Sequence, residues 1–187
     1  MPKSNEKQRI MRLYDQSARV YDTQYKDEQD AKIRTALHNL TLKENDLILD
    51  AGCGTGLLFR HVADKVQFLA GIDVSSSLLK EAAKKARNRN NIALIQADAD
   101  AMPFSDRTFD KVFALTLLQN MPDSGKTLDE IKRVSKLNAD IVLSGLRKAF
   151  TEEQFSELLK RAALQINMLK LDEQMREYIS VCSKTVR

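Results

Sequence analysis

Short apolar segments typical of buried strands alternate with helical patterns through most of this chain. The five clearest segments are DLILDA, VQFLAGID, NIALIQAD, FDKVFALT and ADIVLSGL. Strands that alternate with helices favour an α/β fold, in which a mostly parallel sheet is covered by helices on both faces. Ligands of such sheets bind at the carboxyl ends of the strands. The alternation therefore predicts both the fold class and the edge where a site should lie.

Helical patterns also flank this core. Ser4 is expected to cap a first helix, and a second carries apolar residues at helical spacing up to Leu40. A further helix is expected from about Thr55 to Asp64, after the first strand. Thr151 and Gln154 form a capping-box pattern before another helix. The chain then closes with two strand candidates, QINMLKLDE and REYISVCSK, and we expect the last strand to be inserted antiparallel.

The overall composition is that of an ordinary globular protein. At 187 residues the chain fits one domain, 1–187, with 43% hydrophobic and 30% charged residues. No apolar run is long enough to span a bilayer and the N-terminus lacks a signal-peptide core, so we expect a cytoplasmic protein with no membrane partner. The net charge of +4 permits an anionic partner such as RNA without requiring one. Solvated helix faces explain most of the basic residues.

Three glycines, Gly52, Gly54 and Gly56, follow the first strand within LILDAGCGTGLL. Glycine lets the backbone turn tightly and approach a ligand closely, so such a loop usually holds a nucleotide. The dinucleotide fingerprint G-x-G-x-x-G fails, because its third glycine would stand where the chain has Leu57. The P-loop pattern fails too, since no Gly-Lys-Ser/Thr follows. Neither phosphate-binding motif explains the loop.

Acidic residues stand at the ends of the first three strands. Asp50 would repel a pyrophosphate, yet it suits a positively charged group. Asp73 is placed to accept hydrogen bonds from both hydroxyls of a ribose. Asp98 is placed to accept from an adenine amino group, with a backbone N–H beside it for the ring. Sites for a cation, a ribose and an adenine, without a phosphate site, match S-adenosylmethionine.

At these residues the sequence resembles the class I S-adenosylmethionine-dependent methyltransferases. LDAGCGTG resembles the first motif of that family, GIDVS the acidic motif of the second strand, and ADADAMPF the adenine motif. LYDQSARVYDTQY is similar to the lead-in of the type 11 branch, which includes ubiquinone and menaquinone C-methyltransferases. The resemblance covers nearly the whole chain in the correct order. It implies a three-layer αβα sandwich with a Rossmann-like seven-stranded sheet, and S-adenosylmethionine as cofactor with S-adenosylhomocysteine as product.

The resemblance also implies which residues bind the cofactor. Val74 would pack on the adenine and Ala99 would help to read its edge. Tyr21 would close over the cofactor, while Leu115 and Thr116 would line the methyl-donor end. The full expected set is Tyr21, Asp50, Ala51, Gly52, Gly54, Gly56, Asp73, Val74, Asp98, Ala99, Leu115 and Thr116.

The acceptor side is less defined by the sequence. Tyr14, Tyr25, Gln119 and Asn120 are candidate substrate-facing groups, and no catalytic residue is assigned. A general base is needed only if the acceptor must lose a proton. The chain reads LLQNMPD after the fourth strand, without the Asn/Asp-Pro-Pro-Tyr tetrapeptide of amino-group methyltransferases. The loosely clustered aspartates fit no metal-binding loop, so no metal is expected.

Two departures from the family pattern bear on the substrate. LNAD (137–140) stands where relatives often have a Pro-Gly-Gly type turn, which puts the conformation of that turn in question. No sizeable insertion flanks the sixth strand, so the site is open, takes a large substrate or is completed by a partner. We expect residues 1–45 to form a helical lead-in over the site of a core at 46–187, and a small-molecule acceptor. A tRNA or protein methyltransferase and a non-catalytic cofactor-binding scaffold are the alternatives.

Overall fold

The structure is a computed structural model that describes residues 2–18, 20–172 and 177–184. The helices are α1 (Pro2–Ser17), α2 (Tyr21–His38), α3 (Phe59–Val62), α4 (Ser76–Ala86), α5 (Ser124–Val134) and α6 (Glu152–Arg161). The strands are β1 (Leu47–Ala51), β2 (Phe68–Asp73), β3 (Ile92–Gln96), β4 (Phe109–Ala114), β5 (Ser135–Leu146), β6 (Leu164–Asp172) and β7 (Glu177–Lys184).

All seven strands form one sheet in the order β3-β2-β1-β4-β5-β7-β6. The first five strands run parallel, and β7 lies antiparallel between β5 and β6. This arrangement confirms the predicted seven-stranded, mostly parallel sheet and its inserted antiparallel last strand. The strand order reverses at β1 and β4, so a crevice is expected where these two strands end.

Consecutive core residues of the central strands face opposite layers. Ile48 packs in the apolar cluster on one face, while Leu49 packs in the cluster on the other. Val112 and Phe113 of β4 divide in the same way. Because each is essentially inaccessible to solvent, each contributes roughly 1.5–3 kcal/mol of hydrophobic stabilisation. Two buried faces explain why these strands read as continuous apolar runs rather than alternating ones.

The predicted helix at Thr55–Asp64 is wrong in its extent. Only Phe59–Val62 is α-helical, and a short 3-10 helix at Ala63–Lys65 follows it. The preceding residues form turns in which Gly54 and Gly56 have positive φ angles of 54° and 77°. A right-handed helix does not accommodate such residues, so the helix begins only after the glycine loop has ended.

Other helix and strand boundaries also differ from the predicted ones. No separate turn exists at 137–140, because β5 begins at Ser135, directly after α5, and these residues lie within it. The pairing of β5 with β4 shifts register between Phe109 and Lys111, in this part of the strand. The first helix begins at Pro2, so Ser4 lies inside it and the predicted cap is wrong. The capping box of Thr151 and Gln154 is confirmed by reciprocal hydrogen bonds.

The helices α1 and α2 cover the carboxyl edge of the sheet. Helix α1 packs against α4, and α2 packs against the start of β7. Across the part of the chain that the structure describes, no helix has both the length and the apolar character needed to cross a membrane.

Candidate active site

The glycine loop is attached to the end of β2 by its backbone. The amides of Gly52 and Cys53 both donate to the carbonyl of Ile72, at 2.9 and 2.8 Å. A Cβ at Gly56 would lie 2.3 Å from the ring of Phe59, whereas a Cβ at Gly54 would meet nothing within 4 Å. Gly56 is therefore required by internal packing, and Gly54 leaves open space above the loop.

Asp73 is held at the tip of β2 by two backbone amides. Its Oδ2 accepts from the amide of Gly54 and its Oδ1 from the amide of Ser75, both at 2.9 Å. Burial raises the pKa of this carboxyl, and the two amides act in the opposite direction. Val74 contributes a further backbone hydrogen bond, and a carboxylate has about four lone-pair sites, so Asp73 retains the capacity to accept from a ligand.

Asp50, at the end of β1, is fully buried beneath the loop. Burial is the main cause that raises the pKa of Asp50 to about 8, and the negative charge of Asp73 adds to it. Asp73 is charged at neutral pH and Asp50 can ionise beside it, so a cationic ligand would be attracted to this site. These two carboxyl groups therefore fit the positively charged ammonium and sulfonium groups of S-adenosylmethionine.

A cleft above these carboxyl groups contains about 930 Å³ of empty space, part of it open to solvent. The structure brings most of the predicted residues together around it: Tyr14, Tyr21, Gly52, Gly54, Asp73, Val74, Asp98, Ala99, Leu115, Thr116 and Asn120. The cleft runs from the tip of β3 to the tip of β4, as the topological rule predicts.

The other predicted residues do not line this cleft. Asp50 borders a smaller adjoining pocket behind the glycine loop, and Gly56 borders a separate groove beside Phe59. Ala51 is buried in the core of the sheet. Tyr25 is 42% exposed, and the centroids of its ring and the Tyr21 ring are 5.0 Å apart. Both polar side-chain atoms of Gln119, a predicted substrate-facing residue, are buried, and this residue does not line the cleft.

Helix α1 supplies cleft residues that the sequence analysis missed. Lys7, Ile10 and Met11 line the cleft together with Tyr14. Their spacing of i, i+3, i+4 and i+7 places them on one helix face, and this spacing was the available signal. The helix therefore forms one wall of the site.

Polar contacts of α1 reach loops that border the cleft. Lys7 pairs with Asp98, at 2.8 Å, and with Asp100. Its pKa is raised, because these two carboxylates outweigh an opposing desolvation effect that is the largest single influence. The carboxylate of Asp15 accepts from the Ser75 hydroxyl.

Asn120 connects the far end of α1 to the loop after β4. Its amide donates to the Tyr14 hydroxyl at 2.9 Å and to the Thr116 carbonyl at 2.8 Å. Together with the contacts of Lys7 and Asp15, these hydrogen bonds attach α1 to loops at the tips of β2, β3 and β4.

Helix α2 forms ion pairs with the neighbouring helices α3 and α4. Asp22 pairs with Lys85 of α4, and Asp30 pairs with Arg60 and His61 of α3. Helix α2 also reaches the rim of the cleft, where Gln29 and Lys32 donate to the Thr116 hydroxyl.

A buried lysine of α2 reaches Thr116 at the edge of the cleft. The Lys32 ammonium, inaccessible to solvent, lies 2.7 Å from Glu28 and 2.8 Å from Glu177. It also donates to the Thr116 hydroxyl at 3.2 Å. Thr116 has a positive φ of 58°, and its amide donates to the Ser144 hydroxyl at 2.7 Å. A non-glycine residue in this conformation is strained, so these contacts hold Thr116 in place.

Comparison with known proteins gives the family. The model of the family described as methyltransferase domain, Methyltransf_11, matches residues 49–143. An uncharacterized protein of Methanocaldococcus jannaschii is 32% identical over 131 residues, which is 70% of this chain and 49% of that protein. The chain therefore spans about half the length of this relative. A demethylmenaquinone methyltransferase of Thermotoga maritima is 32% identical over 164 residues, 82% of this chain and 70% of that enzyme.

Solved structures agree on the fold. A methyltransferase in complex with the Trm112 methyltransferase activator of Haloferax volcanii has a TM-score of 0.81 and 18% identity. The match covers 92% of this chain and 98% of that one. The matched family model, together with the strand order and the acidic residues beside the glycine loop, shows that the chain belongs to the class I S-adenosylmethionine-dependent methyltransferases.

Proposed function

We propose that this chain transfers the methyl group of S-adenosylmethionine to a small-molecule acceptor with apolar character. The observation that carries the proposal is the cleft itself. It is lined at one end by Asp73 and Asp98, the proposed partners of the ribose and the adenine, and it continues to residues that follow β4. Its far end is lined by Leu115, Leu117 and Met121, which favour an apolar partner.

The chemistry of the residues supports a division of roles within the cleft. Asp73 would bind the ribose hydroxyls and Asp98 the adenine amino group. Asp50 would compensate the positive charge of the methionine part, directly or through water. Methyl transfer is an in-line displacement, so catalysis consists largely of positioning the acceptor and excluding water. The wall formed by α1 is suited to both.

The N-terminal lead-in at 1–45 would then cover the site of the core at 46–187. The matched relatives include a demethylmenaquinone methyltransferase and malonyl-[acyl-carrier protein] O-methyltransferases. The first acts on a quinone, which supports an apolar small molecule as the acceptor of this chain. A covered cleft also favours a small molecule over an RNA or a folded protein.

Calorimetric titration with S-adenosylmethionine and S-adenosylhomocysteine tests cofactor binding. We expect micromolar affinity for both ligands. Absence of binding by the wild-type chain would contradict the proposal.

Transfer of tritiated methyl groups into cell extract tests the acceptor class. After reaction, the extract is separated into small molecules, RNA and protein, and the label in each fraction is counted. We expect label in the small-molecule fraction. Label in RNA or protein alone would replace the small-molecule acceptor with a macromolecular one.

A further inference from the structure

Among the described residues, three that are not glycine have a positive φ angle: Arg107, Thr116 and Ala163. Thr116 is the one of these three that lines the cleft, and its φ is 58°. Threonine is β-branched, and a β-branched residue in the left-handed region is a true outlier. Such strain persists only where the surrounding contacts impose it, and it is concentrated at functional sites. The contacts that impose this conformation therefore bear on function.

Hydrogen bonds engage the hydroxyl and both backbone groups of Thr116. The hydroxyl accepts from the Lys32 ammonium at 3.2 Å and from the Gln29 side-chain amide at 3.0 Å. The backbone amide donates to the Ser144 hydroxyl at 2.7 Å. The carbonyl accepts from the Asn120 side-chain amide at 2.8 Å. A rotation of Thr116 out of the left-handed region would therefore disturb several hydrogen bonds at once.

Glu177 joins two of these contacts into a ring. Its carboxylate lies 2.8 Å from the Lys32 ammonium and also has the Ser144 side chain as a hydrogen-bond partner. Burial raises the pKa of Glu177, and these two partners act in the opposite direction. Lys32, Ser144 and Glu177 are each at most 1% exposed. We therefore expect the ring to act on the cleft through Thr116 rather than by contact with a ligand.

The conformation of Thr116 sets the position of its two neighbours in the chain. Leu115 and Leu117 both line the cleft. Leu117 also lies against the glycine loop, since its Cδ1 is 3.1 Å from the position of a Cβ added at Gly52. A change in the backbone of Thr116 would therefore displace the apolar wall at the end of the cleft that we assign to the acceptor.

We propose that Lys32 and Glu177 are positioning residues for methyl transfer, which hold Thr116 in its left-handed conformation and so fix Leu115 and Leu117 at the acceptor end of the cleft. The inference rests on the proposed methyl transfer. Neither Lys32 nor Glu177 touches the reacting atoms. Their effect on the rate comes from geometry, because a misplacement of about 1 Å in an active site can lower a rate about 100-fold.

Lys32→Met combined with Glu177→Gln, the charge-removing pair, tests the proposal without leaving either ion of this pair alone in the core. The measured quantity is the initial rate of tritium transfer from saturating S-adenosylmethionine into the small-molecule fraction of cell extract. We expect this rate to fall by at least about tenfold. Affinity for S-adenosylhomocysteine, measured by calorimetry, should change by less than about threefold, because Asp73 and Asp98 bond to other residues.

Glu28→Gln is the matched control for the loss of charge beside Lys32. Glu28 lies 2.7 Å from the same ammonium, but its side chain is 39% exposed. An exposed ion pair contributes little, so this variant should keep its transfer rate within about twofold of wild type. An equal loss of rate in Glu28→Gln and in the charge-removing pair would contradict a role of the buried ring.

Thr116→Gly distinguishes a positioning role from a general structural one. Glycine adopts a positive φ without steric cost, so it needs no ring to hold it there. When Thr116→Gly is already present, the charge-removing pair should lower the transfer rate by less than about threefold. Equal factors with and without Thr116→Gly would overturn the proposal.

NMR chemical shifts report the backbone conformation of Thr116 independently of activity. The carbon shifts of Thr116 should indicate a positive φ in the wild-type chain and in Glu28→Gln, and they should move in the charge-removing pair. Unchanged Thr116 shifts in that pair would overturn the proposal, even if Thr116→Gly alone lacked transfer. No transfer by wild type, or transfer only to RNA or protein, would overturn the proposed function, and the shifts would still decide whether the ring holds Thr116.

Discussion

The ammonium of Lys7 lies 2.8 Å from both carboxylate oxygens of Asp98. Asp98 is the residue that we propose to bind the adenine amino group, and Lys7 belongs to the helix that covers the cleft. The same carboxylate therefore holds α1 closed and contacts the proposed position of the cofactor. The proposed adenine contact would therefore couple the position of α1 to occupancy of the cofactor site through one side chain.

Lys7→Met should accelerate release of S-adenosylmethionine. The pair is partly exposed, with side chains 26% and 41% accessible, so its loss is worth about 1 kcal/mol or less. That corresponds to dissociation up to about fivefold faster, measured by stopped-flow fluorescence with a competing ligand. Arg9→Met, on the exposed face of the same helix, serves as control. Equal release rates in all three proteins would show that Lys7 does not hold the helix over the cofactor.

Asp73→Ala should abolish measurable cofactor binding. The substitution would remove the two proposed ribose contacts and would also free the amides of Gly54 and Ser75 that now orient the loop. Hydrogen bonds to a charged group contribute about 1.5–3 kcal/mol each, so affinity should fall by at least about 100-fold in calorimetry. Asp129→Ala, at a side chain that is 72% exposed, should bind like wild type. Near-normal affinity in Asp73→Ala would remove this residue from the proposed site.

Binding of S-adenosylmethionine should release a proton. Because the pKa of Asp50 is raised to about 8, the carboxyl is largely protonated in the empty site at pH 6 to 7. A cationic ligand favours the ionised form, so affinity should rise with pH up to about 8, by at most about tenfold per unit. Calorimetry in buffers with different ionisation enthalpies measures the released proton directly. Asp50→Asn should release none, and a pH-independent affinity in wild type would disprove the coupling.

The same shift has a consequence for stability. A carboxyl whose pKa is higher in the folded than in the unfolded chain binds more protons when folded. The free energy of unfolding of the ligand-free protein should therefore fall as pH rises from about 4 to 8, as far as Asp50 determines it. Denaturant titrations at several pH values should show a shallower decline in Asp50→Asn. Identical slopes in the two proteins would mean that Asp50 is ionised in the folded state.

The sequence predicts the site where local pattern and topology are sufficient, and fails where distant residues meet. Asp50 and Asp73 end strands that run side by side, so their proximity follows from the order of the motifs. Lys32 is different, because lysine is ordinarily exposed and its partner Glu177 comes from the other end of the chain. Only the three-dimensional packing of α2 against β7 reveals that pair.

Two glycines of the loop should respond differently to alanine. Gly56→Ala places a Cβ 2.3 Å from the Phe59 ring at a φ of 77°, so it should lower the free energy of unfolding by about 3 kcal/mol. The Cβ of Gly54→Ala would lie more than 4 Å from any other atom, so only the strain of its φ of 54° lowers the free energy of unfolding, by about 1 kcal/mol. Its methyl group borders the cleft, however, so it should weaken cofactor binding.

Chemical denaturation and calorimetry on both glycine variants separate the two effects. Gly56→Ala should show the larger loss of stability, and Gly54→Ala the larger loss of affinity relative to its stability. The contrast follows from where the added carbon points, since both positions have similar backbone strain. If Gly54→Ala bound S-adenosylmethionine as tightly as wild type, the cofactor would not approach the loop at this residue, and the proposed place of its methionine part would be wrong.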